Sequence, residues 1–114
     1  MQLDISLVPY GQISYIVPSL IGYFEKSEGW TRGRSGVDDI VRFVLTGQMQ
    51  LWVVFDPVDN EIYGYVVTEI KQYPKNKIFV IQYCAMEPHY MQHVAEKMHE
   101  TADRFAREMG CNGV

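Results

Sequence analysis

Residues 49–86, MQLWVVFDPVDNEIYGYVVTEIKQYPKNKIFVIQYCAM, hold three apolar runs separated by two short polar segments. Met49 to Phe55 reads as a strand. Asp56-Pro-Val-Asp-Asn60 is composed of the residues that form turns. Glu61 to Tyr73 is a second, long strand, Pro74-Lys-Asn-Lys77 a second turn, and Lys77 to Met86 a third strand. The three form a meander. In the last of them, strict alternation sends Ile78, Val80 and Cys84 one way and Phe79, Ile81, Tyr83 and Ala85 the other. Both sides are apolar, so helices are expected over both faces of the sheet.

The flanking segments supply those helices. Gln2 to Val8 alternates apolar and polar residues as a half-buried strand, closed by Pro9-Tyr10-Gly11. From Gln12 to Ser27, Ile13, Ile16, Val17, Leu20, Ile21 and Phe24 recur at helical spacing; Pro18 either bends that helix or begins its main segment. A glycine-rich connection, Glu28 to Gly36, carries Trp30, Arg32 and Arg34. A second helix begins around Ser35 to Asp38, turns Ile40, Val41, Val44 and Leu45 inward, and stops at Gly47. Downstream of the meander, Met91, Val94, Met98, Ala102, Phe105 and Met109 form one stripe of a helix spanning Pro88 to Met109. Gly110 follows its end, and Cys111-Asn-Gly-Val114 opens a new segment. Without repeats, linkers or low-complexity tracts, residues 1–114 read as one α/β (α+β) domain.

Composition narrows the function. Ten basic residues against fourteen acidic ones give a net charge of -4 and a pI near 5.2, the wrong balance for gripping phosphate backbones; nucleic acid is not an expected partner. No stretch reaches the roughly 20 apolar residues that span a bilayer, and the N-terminus has no basic residue of a secretory signal. Cys84 and Cys111, in apolar surroundings and without CxxC spacing, read as buried thiols of a reducing compartment. A host cytoplasm, or a particle assembled there, is the expected location.

Several residues invite chemistry. His89, His93 and Glu96 share helical spacing, but a solvated polar face explains them without a metal, and none is assigned. Cys84 lacks a neighbour that would activate it as a nucleophile. Glu69 and Gln82 are polar groups on adjacent strands that either line a cleft or meet solvent. Tyr63, Tyr65 and Tyr73 share a strand face, either as a contact surface or under the first two helices. Trp30, Arg32 and Arg34 are the best exposed contact residues.

The order of elements resembles the GNAT N-acetyltransferase fold, a central, mostly antiparallel sheet with helices on both faces. Three phrases are similar to the GNAT-like proteins of tailed bacteriophages: Leu51-Trp52-Val53-Val54 with Ile62-Tyr63-Gly64; Val67-Thr68-Glu69-Ile70 through Tyr73-Pro74-Lys75-Asn76-Lys77; and Ala102-Asp103-Arg104-Phe105-Ala106-Arg107-Glu108-Met109-Gly110-Cys111. The resemblance implies acetyl-coenzyme A held by Cys84, Ala85, Met86, His89, Tyr90 and Met91, with Glu69 as the base. Two departures oppose it. The family's Arg/Gln-x-x-Gly-x-Gly/Ala loop aligns with Ala85-Met86-Glu87-Pro88-His89-Tyr90-Met91, which has no glycine or arginine and adds a glutamate. The family's later strands do not follow within residues 1–114: either the protein is naturally short, in which case a C-terminal edge is expected to be open to self-association, or those strands lie outside this sequence. The leading expectation is therefore a phage protein without catalysis or cofactor, acting by contacts with phage or host proteins as a virion or assembly component. The alternatives are an acetyl-coenzyme-A-dependent N-acetyltransferase and a regulator or inhibitor of a host protein.

Overall fold

The structure is a computed structural model and describes residues 3–28 and 36–112. Strand β1 (Asp4–Leu7) passes through a 3-10 turn, Tyr10–Gln12, into helix α1 (Ile13–Glu28). Helix α2 (Val37–Leu45) precedes β2 (Gln50–Phe55), β3 (Ile62–Gln72) and β4 (Lys77–Met86). A second 3-10 turn, Pro88–His93, leads to α3 (Ala95–Glu108). The strands pair in the order β1-β2-β3-β4, every neighbour antiparallel.

Both faces of the sheet are covered, as the apolar strands require. Ile13, Val17, Leu20 and Phe24 of α1 and Ile40 and Val44 of α2 pack on Leu51, Tyr65 and Val67. The Phe24 and Tyr65 rings meet edge to face at 4.6 Å, and neither residue is exposed. Across the sheet, Met98, Ala102, Phe105 and Ala106 of α3 cover Trp52, Val66 and Phe79. Each fully buried large side chain contributes about 1.5–3 kcal/mol. Helix α1 runs through Pro18, which lies one turn inside its start and removes a single main-chain bond. Gly47 and Gly110 hold φ of 79° and 76° just past α2 and α3, as helix-ending glycines do.

The two turns of the meander are built from the residues that announce them. Asp56 Oδ1 accepts from the Val58 amide at 2.8 Å, Asp59 Oδ1 from the Glu61 amide at 2.9 Å, and Asn60 adopts φ 61°.

Two bulges overturn the alternation expected of the strands. Val67 pairs with Tyr83 but Thr68 pairs with Ile81, so Gln82 is an extra residue in β4. Phe79 consequently packs under α3 while Tyr83 and Ala85 pack toward α1 and α2, rather than all three sharing a side. In the β2–β3 pair, Val54 faces Gly64 and Phe55 faces Ile62, so Tyr63 is extra. Tyr63 joins Leu3, Val54 and Val94 on the α3 side, whereas Tyr65 lies under α1; the two tyrosines do not share a face. Other differences are smaller. The last α-helix begins at Ala95 and not at Pro88, Leu45 is 40% exposed, and Met109 falls outside the packed stripe at 42%.

Beyond α3 the chain returns to the outer edge of β4. Asn112 donates its amide to the Lys77 carbonyl at 2.8 Å and accepts the Lys77 amide on Oδ1 at 2.7 Å. The Lys77 ammonium also caps the Met109 carbonyl at the end of α3.

Gly64 lies close against the main chain of β4. A Cβ there would stand 2.6 Å from the Ala85 carbonyl oxygen and 2.9 Å from Met86 Cα, both main-chain atoms of β4. Gly64→Ala is expected to lower unfolding free energy by about 1–3 kcal/mol, the usual range for overpacking, measured as a shift of the urea midpoint. An unchanged midpoint would mean that β3 and β4 separate more easily than their register implies.

Candidate functional site

The C-terminal half of β4 turns one edge away from β3. The Glu87 amide bonds to the Tyr63 carbonyl at 3.0 Å, so Glu87 and, by alternation, Ala85 direct main-chain groups toward β3. Cys84 and Met86 direct theirs outward, and among the described residues no strand pairs with that side. Opposite ends of one edge thus differ, since Lys77 is engaged by Asn112.

From Met86 the chain enters the 3-10 turn, closed by the Tyr90 amide on the Glu87 carbonyl at 3.0 Å. The Tyr90 ring packs on that of Tyr63 at 4.8 Å. Val94 occupies the cap position of α3, buried against Leu3 and Val54, and offers no side-chain hydrogen bond. The first turn of α3 therefore presents main-chain N–H groups at the positive end of its dipole, beside one acidic side chain, Glu96. This shifts the helix start forward from the expected Pro88: His89, Tyr90 and Met91 sit in the preceding turn.

The glutamate at the end of β4 is not aimed at α3. Glu87 lies on the α1 side, where the single proton of the Tyr23 hydroxyl is shared between its carboxylate and the Ile62 carbonyl, 3.2 Å away. Burial first, and then the Glu87 charge and hydrogen bond, push the Tyr23 phenol above its ordinary range.

On the same side of the sheet, Gln82 donates from Nε2 to Glu69 Oε1 at 3.1 Å, and Lys71 Nζ stands 4.0 Å from the same oxygen. The bulge creates this meeting: it places Gln82 where Glu69, two residues beyond Val67 on β3, can reach it. Glu69 is only 16% exposed.

The remaining expected residues divide clearly. Cys84 is exposed, not a core thiol, although local desolvation pushes its thiol upward and away from nucleophilic character. Tyr65 is wholly buried and cannot serve as a contact residue; Tyr63 is half-buried against Tyr90. Trp30, Arg32 and Arg34 lie outside the described residues. Among the described residues no three His, Cys, Asp or Glu groups are placed to hold a metal ion, and no helix is long and apolar enough to cross a membrane. A shallow cavity of about 260 Å³ lies elsewhere, between β1 and α3, lined by Ser6, Trp52, Thr101, Arg104 and Glu108 among others.

Sequence reasoning left Glu69 and Gln82 as groups that either line a cleft or meet solvent, and it missed the Tyr23–Glu87 contact. No local signal marks that contact, because the residues are far apart in sequence and meet only when α1 lies on the sheet.

No protein-family model matches the sequence, and no curated protein does. Solved structures do. A ribosomal-protein-alanine N-acetyltransferase from Brucella melitensis biovar Abortus 2308 superposes at TM-score 0.69 with 14% identity, over 97% of this chain and 77% of that one. A GNAT family acetyltransferase of Staphylococcus aureus gives 0.63 and 9%, over 99% and 84%. The aminoglycoside N-acetyltransferase AAC(6')-Iy, in complex with CoA, gives 0.68 and 12%, over 98% and 74%. At such identities the likeness is one of architecture. The chain has the GNAT acetyltransferase fold: an antiparallel sheet with helices on both faces.

The Tyr23 environment gives a test by pH. Its phenol ionises less readily folded than unfolded, so its contribution to stability is complete below about pH 10 and is lost as pH rises through the higher folded value. Tyr23→Phe should be less stable at pH 7, having lost the bond to Ile62, yet decline less steeply in thermal melts above pH 10. Parallel declines in both proteins would show that Tyr23 titrates as if free.

Proposed function

We propose that the chain is the coenzyme-binding part of an acetyl-coenzyme-A-dependent N-acetyltransferase acting on a cationic amine. The observation that carries this reading is the outward main-chain edge at Cys84 and Met86, running into an uncapped α3 start on a GNAT frame. An extended pantetheine arm can pair with such an edge as a further strand would. Cys84, Ala85 and Met86 would hold that arm, and the first-turn N–H groups of α3 would meet the diphosphate. The turn residues His89, Tyr90 and Met91 would flank it. When bound, the coenzyme supplies an acetyl thioester. The chain's own residues supply the rest: Glu69, mostly buried beside β4, accepts the proton that an ammonium must lose before it can attack. The net charge of -4 favours a cationic acceptor over long range.

This reverses the order of the sequence-based expectations, which put a non-catalytic role first and assigned no cofactor. One observation favours that second reading. The α3 start, Val94, Ala95 and Glu96, has no glycine, and Glu96 opposes a diphosphate. On that reading the protein acts by contacts, through Trp30, Arg32 and Arg34 or by pairing of copies along β4, and the link to tailed phages rests on the sequence phrases alone.

Calorimetric titration with acetyl-coenzyme A separates the two. Micromolar affinity is expected, with acetyl transfer to an amine acceptor such as spermidine or a peptide N-terminus. Glu69→Gln should reduce kcat about a hundredfold while leaving coenzyme affinity unchanged, as expected for loss of a general base. Absence of binding at millimolar coenzyme would discard the enzyme and leave the contact protein.

A further inference from the structure

The carboxylate of Glu69 is held asymmetrically. Gln82 Nε2 and Lys71 Nζ both address Oε1, at 3.1 Å and 4.0 Å, and no contact to Oε2 occurs among the described residues. A carboxylate can only accept, so the Gln82 amide must present its NH₂ group to it. We infer that Gln82 is a positioning residue: it ties down Oε1 so that Oε2 is the oxygen that takes the proton from the acceptor ammonium.

The inference rests on the acetyl-transfer reading and names how that site is built. Three features support it. Gln82 is the extra residue of the β4 bulge, and bulges re-aim side chains beside functional sites. The bulge sits next to Tyr83 and Cys84, where the outward edge of β4 begins. And a glutamate with three free torsions would otherwise populate several rotamers, whereas one fixed oxygen leaves the second with a defined direction. The step itself is a single proton transfer. The N–H bond of the ammonium breaks, its electron pair remains on nitrogen, and the proton is carried on Oε2 until solvent removes it. Lys71, 43% exposed, adds a screened positive charge to the same oxygen and is less exacting about geometry.

A double-mutant cycle with spermidine as acceptor tests this. Gln82→Met should lower kcat about tenfold with little change in KM for acetyl-coenzyme A, Glu69→Gln about a hundredfold, and the double variant no more than Glu69→Gln alone, because the first residue acts through the second. In the free protein, the ¹⁵N side-chain signals of Gln82 should follow an acid titration and lose that response in Glu69→Gln; the same spectra establish that each variant is folded. Losses that multiply, an unaltered kcat in Gln82→Met, or Gln82 signals indifferent to Glu69 would each overturn the positioning role while leaving acetyl transfer intact. A wild-type protein that binds the coenzyme yet transfers nothing to any amine would overturn both.

Discussion

Between Val67 and Thr68, β3 pairs first with Tyr83 and then with Ile81, and Gln82 is left with no residue opposite it. That one insertion reverses the faces of β4. Before it, Phe79 lies under α3 with Trp52 and Phe105; after it, Tyr83 and Ala85 lie toward α1 and α2. Without the bulge, a single phase would put the aromatic side chains of both halves on one side and leave the other helix layer short of partners. The extra residue lets one edge strand feed two cores.

The β3 bulge at Tyr63 works with it. Tyr63 and Gly64 both fall on the α3 side, which brings the Gly64 Cα against the main chain of β4 at Ala85 and Met86. Close contact at Gly64 and loosened pairing at Gln82 bracket the segment Tyr83–Met86. On the outer side of this segment no further strand pairs with β4 among the described residues. Strand and helix then part company: α3 starts only after a six-residue 3-10 turn, anchored by Val94 and the Tyr63–Tyr90 ring contact. The resulting rim joins an outward-facing strand edge to a helix start that no side chain caps.

Charge around this rim is arranged by contacts that side-chain lists alone would misjudge. Glu87 has every appearance in sequence of a repulsive group next to a helix start, yet it is drawn to the Tyr23 hydroxyl on the far side of the sheet. Glu69, which as an isolated strand residue would be expected to meet solvent, is largely buried and bonded to Gln82. In both cases a hydrogen bond to a residue on another element decides where the negative charge points. Glu96 remains the one acidic group in the first turn of α3.

The chain order, the three strands of the meander, the αL glycines at 47 and 110 and the buried stripe of α1 were all legible from residues 1–114 because each depends on local pattern: period 2, period 3.6, or a φ that glycine tolerates. The Glu69–Gln82 pair was legible as two polar positions on neighbouring strands, but not as a bond. What only the tertiary structure decided were the registers. A bulge is one residue long and carries no composition of its own here, so neither Gln82 nor Tyr63 announced itself, and the faces that alternation gave to Phe79 with Tyr83 and Ala85, and to Tyr63 with Tyr65, went astray. Likewise, the start of α3 was set by Val94 finding its place against Leu3 and Val54, and not by Pro88, since burial of that side chain outweighs a proline's preference for the first helical position.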